Sequence, residues 1–299
     1  MSEISVIAGP ASPDLAAKIA KHLDAQLVAA ELRIFSDGES KIKIGRTSRN
    51  CIIVQSTYPP TDTHILQILM MAKKCAENGA HKICAVVPYL AYARQDRAFL
   101  EDEVVSIALI AKLLQATGID HLITVDIHSQ LAMSHFAPID IENISSIPLL
   151  ADFATSKLKL QNAVAVSPDS GGAQRAREFA NYLSIDTIAL KKSRDRNTGE
   201  VSVNEKLDID ITDRDVILID DMISSGGSII KAARLLNKKG ANRIYAMCAH
   251  ALLIDDAAHK IQARGIQDII ATNSIPGEYA RVDLSPVIAK VLKPRYSAS

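Results

Sequence analysis

Residues 216–230 read VILIDDMISSGGSII, and the fold is decided there. The opening apolar run, 216–219, is bounded by charge on both sides, the pattern of a short strand buried on both faces in a parallel sheet. Asp220 and Asp221 follow at once, and then a loop of small residues, Ser224, Ser225, Gly226, Gly227 and Ser228. Beyond it Ile229, Ala233 and Leu236 recur at i, i+4 and i+7, which predicts an amphipathic helix with Gly240 placed to end it. A strand that feeds a Gly/Ser loop at a helix N-terminus makes an anion site, because amides and the helix dipole converge on the loop. The loop has neither the lysine of a Walker A sequence nor the spacing of a dinucleotide fingerprint. Its distinguishing feature is the acid pair before the cradle, which could accept hydrogen bonds from the hydroxyls of a sugar phosphate. An acidic strand end with a serine N-cap reads the same residues equally well.

The chain has 299 residues, enough for two domains of roughly 150 residues each. Apolar residues make up 48% and aromatics only 4%, so the core is built mainly from Ile, Leu, Val and Ala. Thirty-four basic and 34 acidic residues cancel, which argues against a general binder of nucleic acid or anionic membrane. Phosphate chemistry must then rely on local charge. Cys51, Cys75, Cys84 and Cys248 lie scattered in apolar segments without C-x-x-C spacing and read as buried, reduced thiols. The start shows no basic-then-apolar signal and no apolar run approaches a membrane span, so a cytoplasmic protein is expected.

Outward from the central stretch, strands and helices alternate in both halves. Strands are expected at 4–8, 31–35, 51–55, 83–87 and 121–129 in the first half. Helices are expected at about 14–23, 65–78 and 104–117. Residues 41–44 alternate with period two, and Asp37-Gly38 before them is a hairpin signal. Residues 136–148, with two prolines, form the candidate boundary. In the second half strands are expected at 163–166, 185–190, 244–249 and 269–271, with helices at 174–183 and near 259–263. The pattern predicts an α/β protein of two doubly wound parallel-sheet domains, residues 1–145 and 146–299. No sequence repeat accompanies the duplicated architecture.

Several polar clusters directly follow buried strands, where ligands bind in open α/β sheets. Residues 88–97, PYLAYARQDR, crowd two tyrosines, Arg94, Gln95 and Asp96 after one strand. Asp126 and His128 close another; an Asp-x-His pair alone is weak evidence for a metal. Ser167-Pro168-Asp169-Ser170-Gly171-Gly172 closes a third and forms a second Gly-rich anion loop with an acid beside it. Two such loops in one half suggest a ligand with phosphate at both ends. Lys191, Lys192, Arg194 and Arg196 lie on a polar, Gly-containing segment. It suits either a lid that carries positive charge to a transferring phosphoryl group or a solvated basic loop.

Together these clusters resemble the ribose-phosphate pyrophosphokinase family, across nearly the whole chain and in the family's order. Phe35-x-Asp37-Gly38-Glu39, Pro88-Tyr89-x-x-Tyr92-Ala93-Arg94-Gln95-Asp96 and Asp126-x-His128 separate that family from phosphoribosyltransferases, which share only the acid-pair loop and the fold. The resemblance implies transfer of the β,γ-diphosphate of ATP to the C1 hydroxyl of ribose 5-phosphate, with phosphoribosyl diphosphate and AMP as products. It implies that Phe35, Asp37, Gly38 and Glu39 reach the adenine of an ATP bound mainly by a neighbouring subunit, so a homo-oligomer is expected. Arg94, Gln95 and Asp96 would hold the chain's own ATP. His128 and Asp169 would serve Mg²⁺. Asp169, Ser170, Gly171 and Gly172 would form the diphosphate loop. Residues 224–228 would grip the 5-phosphate while Asp220 and Asp221 take the ribose hydroxyls. Lys192 and Arg194 match the Lys-x-Arg of the catalytic loop, and Arg194 would also contact substrate. The implied last helix of the chain could pack back on the first domain.

Two departures from the family pattern stand out. Ser224-Ser225 occupies a place where bacterial members often carry Asp-Thr, which brings the loop nearer to archaeal-type members. Ser193 falls where a basic residue is common, so Lys191 competes with Lys192 for the catalytic lysine. A phosphoribosyltransferase and a non-catalytic regulatory homologue remain the alternatives. Retention of His128, Asp169, Lys192 and Arg194 speaks against the second.

Overall fold

The central strand of the second half is longer than its apolar run. The computed structural model of the protein describes residues 3–190, 192–194, 201–203 and 207–296, with only the backbone at 192–194 and 201–203. In it the strand spans Val216–Ile223, so Asp220, Asp221 and Met222 belong to the strand and not to the loop after it. Val216 and Leu218 enter one apolar cluster and Ile217 and Ile219 another, which is why the run is apolar at every position. The acids continue the strand because its neighbour on one side continues with it, through pairs Asp220–Cys248 and Met222–His250.

The chain divides into two compact units: 1–145 with 274–276 and 284–299, and 146–273 with 277–283. In the first, β1 (Ile4–Ala8), α1 (Pro13–Leu23) and β2 (Gln26–Ala29) precede a hairpin of β3 (Glu31–Ile34) and β4 (Ser40–Lys43). Then come β5 (Asn50–Val54), α2 (Thr61–Glu77), β6 (Lys82–Val86), α3 (Ser106–Ala116), β7 (His121–Val125), the short α4 (Gln130–Met133) and β8 (Asp140–Ile144). The parallel sheet has the order β2-β1-β5-β6-β7-β8. Edge strands β2 and β8 do not follow from the sequence pattern. Only Val28 of β2 and Ile144 of β8 are buried, so neither carries an apolar run, and β8 lies inside the segment read as a boundary.

The second unit contains α5 (Ile147–Lys157), β9 (Val164–Ser167), α6 (Ala173–Leu183) and β10 (Asp186–Ala189). A ribbon of β11 (Lys192–Arg194) and β12 (Val201–Val203) follows, and then the central strand, β13. After it come α7 (Gly227–Lys238), β14 (Ile244–Ala251), α8 (Ala257–Gln262), β15 (Ile266–Thr272) and β16 (Ala280–Val282). The sheet runs β10-β9-β13-β14-β15-β16, again parallel. Helices α5 and α6 supply one face of its core through Leu150, Ala154, Phe179 and Ala180. Helices α7 and α8 supply the other through Ile229, Ala233, Leu236 and Ile261. The sheet is therefore doubly wound, with its strand order reversing between β9 and β13.

The last helix, α9 (Ser285–Tyr296), belongs to the first unit. It ends on a polar knot: the Tyr296 hydroxyl lies 3.1 Å from Nδ1 of the buried His121, whose Nε2 is 3.0 Å from Glu142. Arg295 pairs with Asp140 at 2.5 Å and with Glu142 at 3.0 Å.

A buried carboxylate sets the other end of the second sheet. The Asp215 side chain has no exposure and accepts from Arg243 Nε at 3.0 Å, Arg243 Nη2 at 2.5 Å, Asn242 Nδ2 at 2.9 Å and the Gln161 amide at 2.7 Å. One side chain thus ties together the segments that start β9, β13 and β14. Burial acts to raise the Asp215 pKa, but Arg243 and the Gln161 amide hold it below the usual carboxylate range. Its contribution is therefore in place at neutral pH and is lost as pH falls through that depressed value. Asp215→Ala strands the guanidinium and should destabilise the protein by about 3 kcal/mol at pH 7.5, read from denaturant unfolding.

Candidate functional site

The pairing of β13 opens a crevice at the switch point. Its partnership with β9 stops at Leu218–Val166, while that with β14 runs on to Ile223–Ala251. Beyond Ser167 the β9 side is a loop, and beyond Leu218 the β13 side is still strand. Such crevices at the carboxyl ends of strands are where open α/β sheets bind ligands.

The loop after β9 is residues 168–172, and Gly172 caps α6. The Ser167 hydroxyl donates to the Asp169 carbonyl at 2.6 Å, and Asp169 Oδ1 accepts from the Gly171 and Gly172 amides at 3.0 and 3.3 Å. Two amides expected to face an anion are thus held by the loop's own carboxylate. A Cβ at Gly172 would lie 2.6 Å from Ser167 Oγ, so glycine there lets the loop fold onto the strand end. After β13 the loop of Ser224 and Ser225 leads to Gly226, whose φ of 76° favours glycine. The Cβ of any other residue would meet Ile261 of α8 at 2.7 Å. Helix α7 starts at Gly227, so the amides at and after this residue begin a helix with no carbonyl upstream in it.

Between the two loops lies the acid pair. Asp221 is 4% exposed, and Asp220 is half-buried with its Oδ1 accepting from the Asp221 amide at 2.9 Å. Burial first, and the Asp221 charge second, push the Asp220 carboxyl up to about 7. Nη1 of Arg175, in the first turn of α6, is 3.5 Å from Asp220 Oδ1 and 3.8 Å from Asp221 Oδ1. The structure therefore brings Asp169–Gly172, Asp220, Asp221 and Ser224–Ser228 to neighbouring strand ends of one sheet.

In the first unit, Arg94 is exposed and Gln95 donates to Glu103 Oε2 at 3.1 Å. Asp96 is buried, and its carboxylate accepts from the Ser129 hydroxyl. Ser129 Oγ also caps α4 by accepting from the Leu131 amide at 3.2 Å, and His135 Nε2 bonds the Asp96 carbonyl at 2.8 Å. Asp96 thus anchors the residue next to the exposed His128, joining the two motifs. Asp126 has a φ of 40° and donates its amide to Ile144 of β8 at 2.9 Å.

Phe35, Asp37, Gly38 and Glu39 make the tip of the β3–β4 hairpin. The Phe35 amide bonds the Glu39 carbonyl at 2.9 Å, and Asp37 Oδ1 accepts from the Glu39 amide at 3.1 Å. Arg33 lies 4.9 Å from the centre of the exposed Phe35 ring. Lys192 and Arg194 fall on β11, antiparallel to β12, and are described by backbone alone. Lys191 and Arg196 lie outside the described residues. Among the described residues no three His, Cys, Asp or Glu side chains gather as a metal cage. No described helix is long and apolar enough to cross a membrane.

Comparison with known proteins agrees with this arrangement. Residues 4–118 match the family model for the N-terminal domain of ribose phosphate pyrophosphokinase, and residues 201–292 that for the phosphoribosyl synthetase-associated domain. A ribose-phosphate pyrophosphokinase of Sulfurisphaera tokodaii is 34% identical over 290 residues, covering 95% of this chain and 99% of that protein. The chain belongs to the ribose-phosphate pyrophosphokinase family. A family member from Methanopyrus kandleri is 35% identical over 289 residues, covering 96% of this chain and 98% of the relative. The crystal structure of phosphoribosylpyrophosphate synthetase from Mycobacterium smegmatis superposes with a TM-score of 0.86 over 98% of each chain, at 28% identity.

Sequence reading passes over Arg175 and Ser129. Arg175 had a partial signal: three residues after Gly172, it falls in the first turn of α6. Ser129 carries none, since only the fold brings it to Asp96. The raised pKa of Asp220 carries a stability consequence with a definite sign. Between the ordinary carboxylate range and about 7 the folded state binds more protons than the unfolded state, so stability falls as pH rises through that window. Asp220→Asn should therefore raise the melting temperature at pH 8 and have a smaller effect at pH 5, measured by differential scanning fluorimetry.

Proposed function

We propose that this chain carries out its family's reaction, with the sugar phosphate bound at the crevice between β9 and β13. The observation that carries the reading is the set of two glycine loops flanking an acid pair at adjacent strand ends. Ribose 5-phosphate has one phosphate and several hydroxyls, and the product has phosphate at both ends. The amides and hydroxyls of Ser224, Ser225, Gly226, Gly227 and Ser228 bind the 5-phosphate at the start of α7. Asp220 and Asp221 accept from the ribose hydroxyls and orient C1 towards the loop of Asp169, Ser170, Gly171 and Gly172, which holds the diphosphate.

The C1 oxygen attacks the β-phosphorus of ATP in line. A C1–O–Pβ link forms, the bond from Pβ to the oxygen bridging it to Pα breaks, the hydroxyl proton is lost, and AMP leaves. Arg94, Gln95 and Asp96 hold the ATP of their own chain, Asp96 acting also through Ser129 on the position of His128. Phe35, Asp37, Gly38 and Glu39 reach the adenine bound by a second copy, which makes the assembly a homo-oligomer. Lys192 and Arg194 bring positive charge to the transferring group.

Mg²⁺ needs few protein ligands, because phosphate oxygens and water complete its shell, and among the described residues no three-ligand side-chain cluster is found. His128 and Asp169 would each serve such ions, which would supply charge neutralisation on the triphosphate. We read the protein as cytoplasmic, with no nucleic-acid or membrane partner. The balanced charge supports the lack of a nucleic-acid or anionic-membrane partner.

The deciding assay supplies ATP, Mg²⁺ and ribose 5-phosphate and resolves AMP from ADP. Sugar-dependent AMP, formed one for one with phosphoribosyl diphosphate, is expected. ADP would mean transfer of a single phosphoryl group and a misassigned site. Lack of turnover with ribose 5-phosphate bound would favour a regulatory homologue.

A further inference from the structure

Two carboxylates buried side by side repel, and a site that must offer both as acceptors needs a cation to keep them charged. The second unit supplies one within itself. Arg175 enters from α6, with its side chain 20% exposed, and places Nη1 within 4 Å of both acids. The same nitrogen lies 3.5 Å from where a Cβ at Gly172 would stand, so the guanidinium passes over the diphosphate loop on its way to the acids. Among the described residues, two titratable neighbours do not replace it. Asp221 faces Asp220 from the same strand with like charge. Cys248, paired to Asp220 on β14, is fully buried, and desolvation pushes its thiol up, so it stays neutral. Among the described residues, Arg175 is the cation with a leading effect on Asp220, and it acts to lower the carboxyl's pKa.

We propose that Arg175 is a positioning residue for the sugar: it keeps the Asp220–Asp221 pair ionised and aligned to accept the ribose hydroxyls, and it ties that pair to the diphosphate loop. The proposal rests on the ribose 5-phosphate reading of the site. Its role differs from that of a helix-packing arginine because it acts through charge, and charge shows in a pH profile.

The test is calorimetric binding of ribose 5-phosphate between pH 6 and 9 to wild type, Arg175→Met, Arg175→Gln and Arg175→Lys. In wild type, affinity should fall as pH drops through about 7, where Asp220 takes up its proton. Both neutral variants should move that midpoint up by about one pH unit, the shift expected on losing an adjacent opposite charge, and lysine should restore most of it. Melting temperatures of the four proteins report folding separately. Midpoints that coincide in wild type and the neutral variants would overturn the role of Arg175 and leave the sugar site standing. Failure of wild type to bind ribose 5-phosphate at any pH would overturn the sugar reading itself, and the role of Arg175 with it.

Discussion

Burial of β13 on both faces is the constraint on which the second unit depends. A strand with apolar side chains on both sides needs a helical layer above and another below, and α5 and α6 on one side with α7 and α8 on the other provide them. Crossing from one layer to the other requires the strand order to reverse, and the reversal falls between β9 and β13. At that line the neighbouring connections leave in opposite directions, which opens a crevice at the strand ends. The crevice is a by-product of covering the core.

Within it, the protein's own charges already satisfy one another. The Asp169 carboxylate takes two loop amides that would otherwise face an anion, and Arg175 lies against two acids that would otherwise face sugar hydroxyls. On the proposed assignment, a diphosphate and a sugar would exchange partners with existing groups and would not confront bare charges. For a ribose-phosphate diphosphokinase, whose substrates carry several negative charges, such an arrangement keeps an acidic site stable until they arrive. The raised pKa of Asp220 marks where that compensation is incomplete.

Much of this was legible in the sequence because the fold and the chemistry share residues. The apolar run of β13, the small loop and the periodicity of α7 predicted a parallel sheet with a Gly/Ser loop leading from strand to helix. The glycine-rich loop after β9 was legible for the same reason. The edges were not. Strands β2, β8 and β16 have partly exposed faces or only three residues, and an edge strand needs no two-sided apolar pattern to be held by its neighbour. The length of β13 was not legible, because charge ends the apolar run at Ile219, whereas continued pairing to β14 decides where the strand ends. Contacts such as Asp96 with Ser129, 33 residues apart, depend on which strands become neighbours, and local pattern holds no trace of that.

The return of α9 to the first unit bears on how the molecule is made. The knot around His121 needs Tyr296 and Arg295, which are among the last residues of the chain. During vectorial synthesis the first sheet can form from residues that emerge early, but its polar closure on His121 waits until residues 295 and 296 follow the second unit out. The second unit, whose residues end at 283, is complete before the first. The half that begins the chain is the half that finishes last.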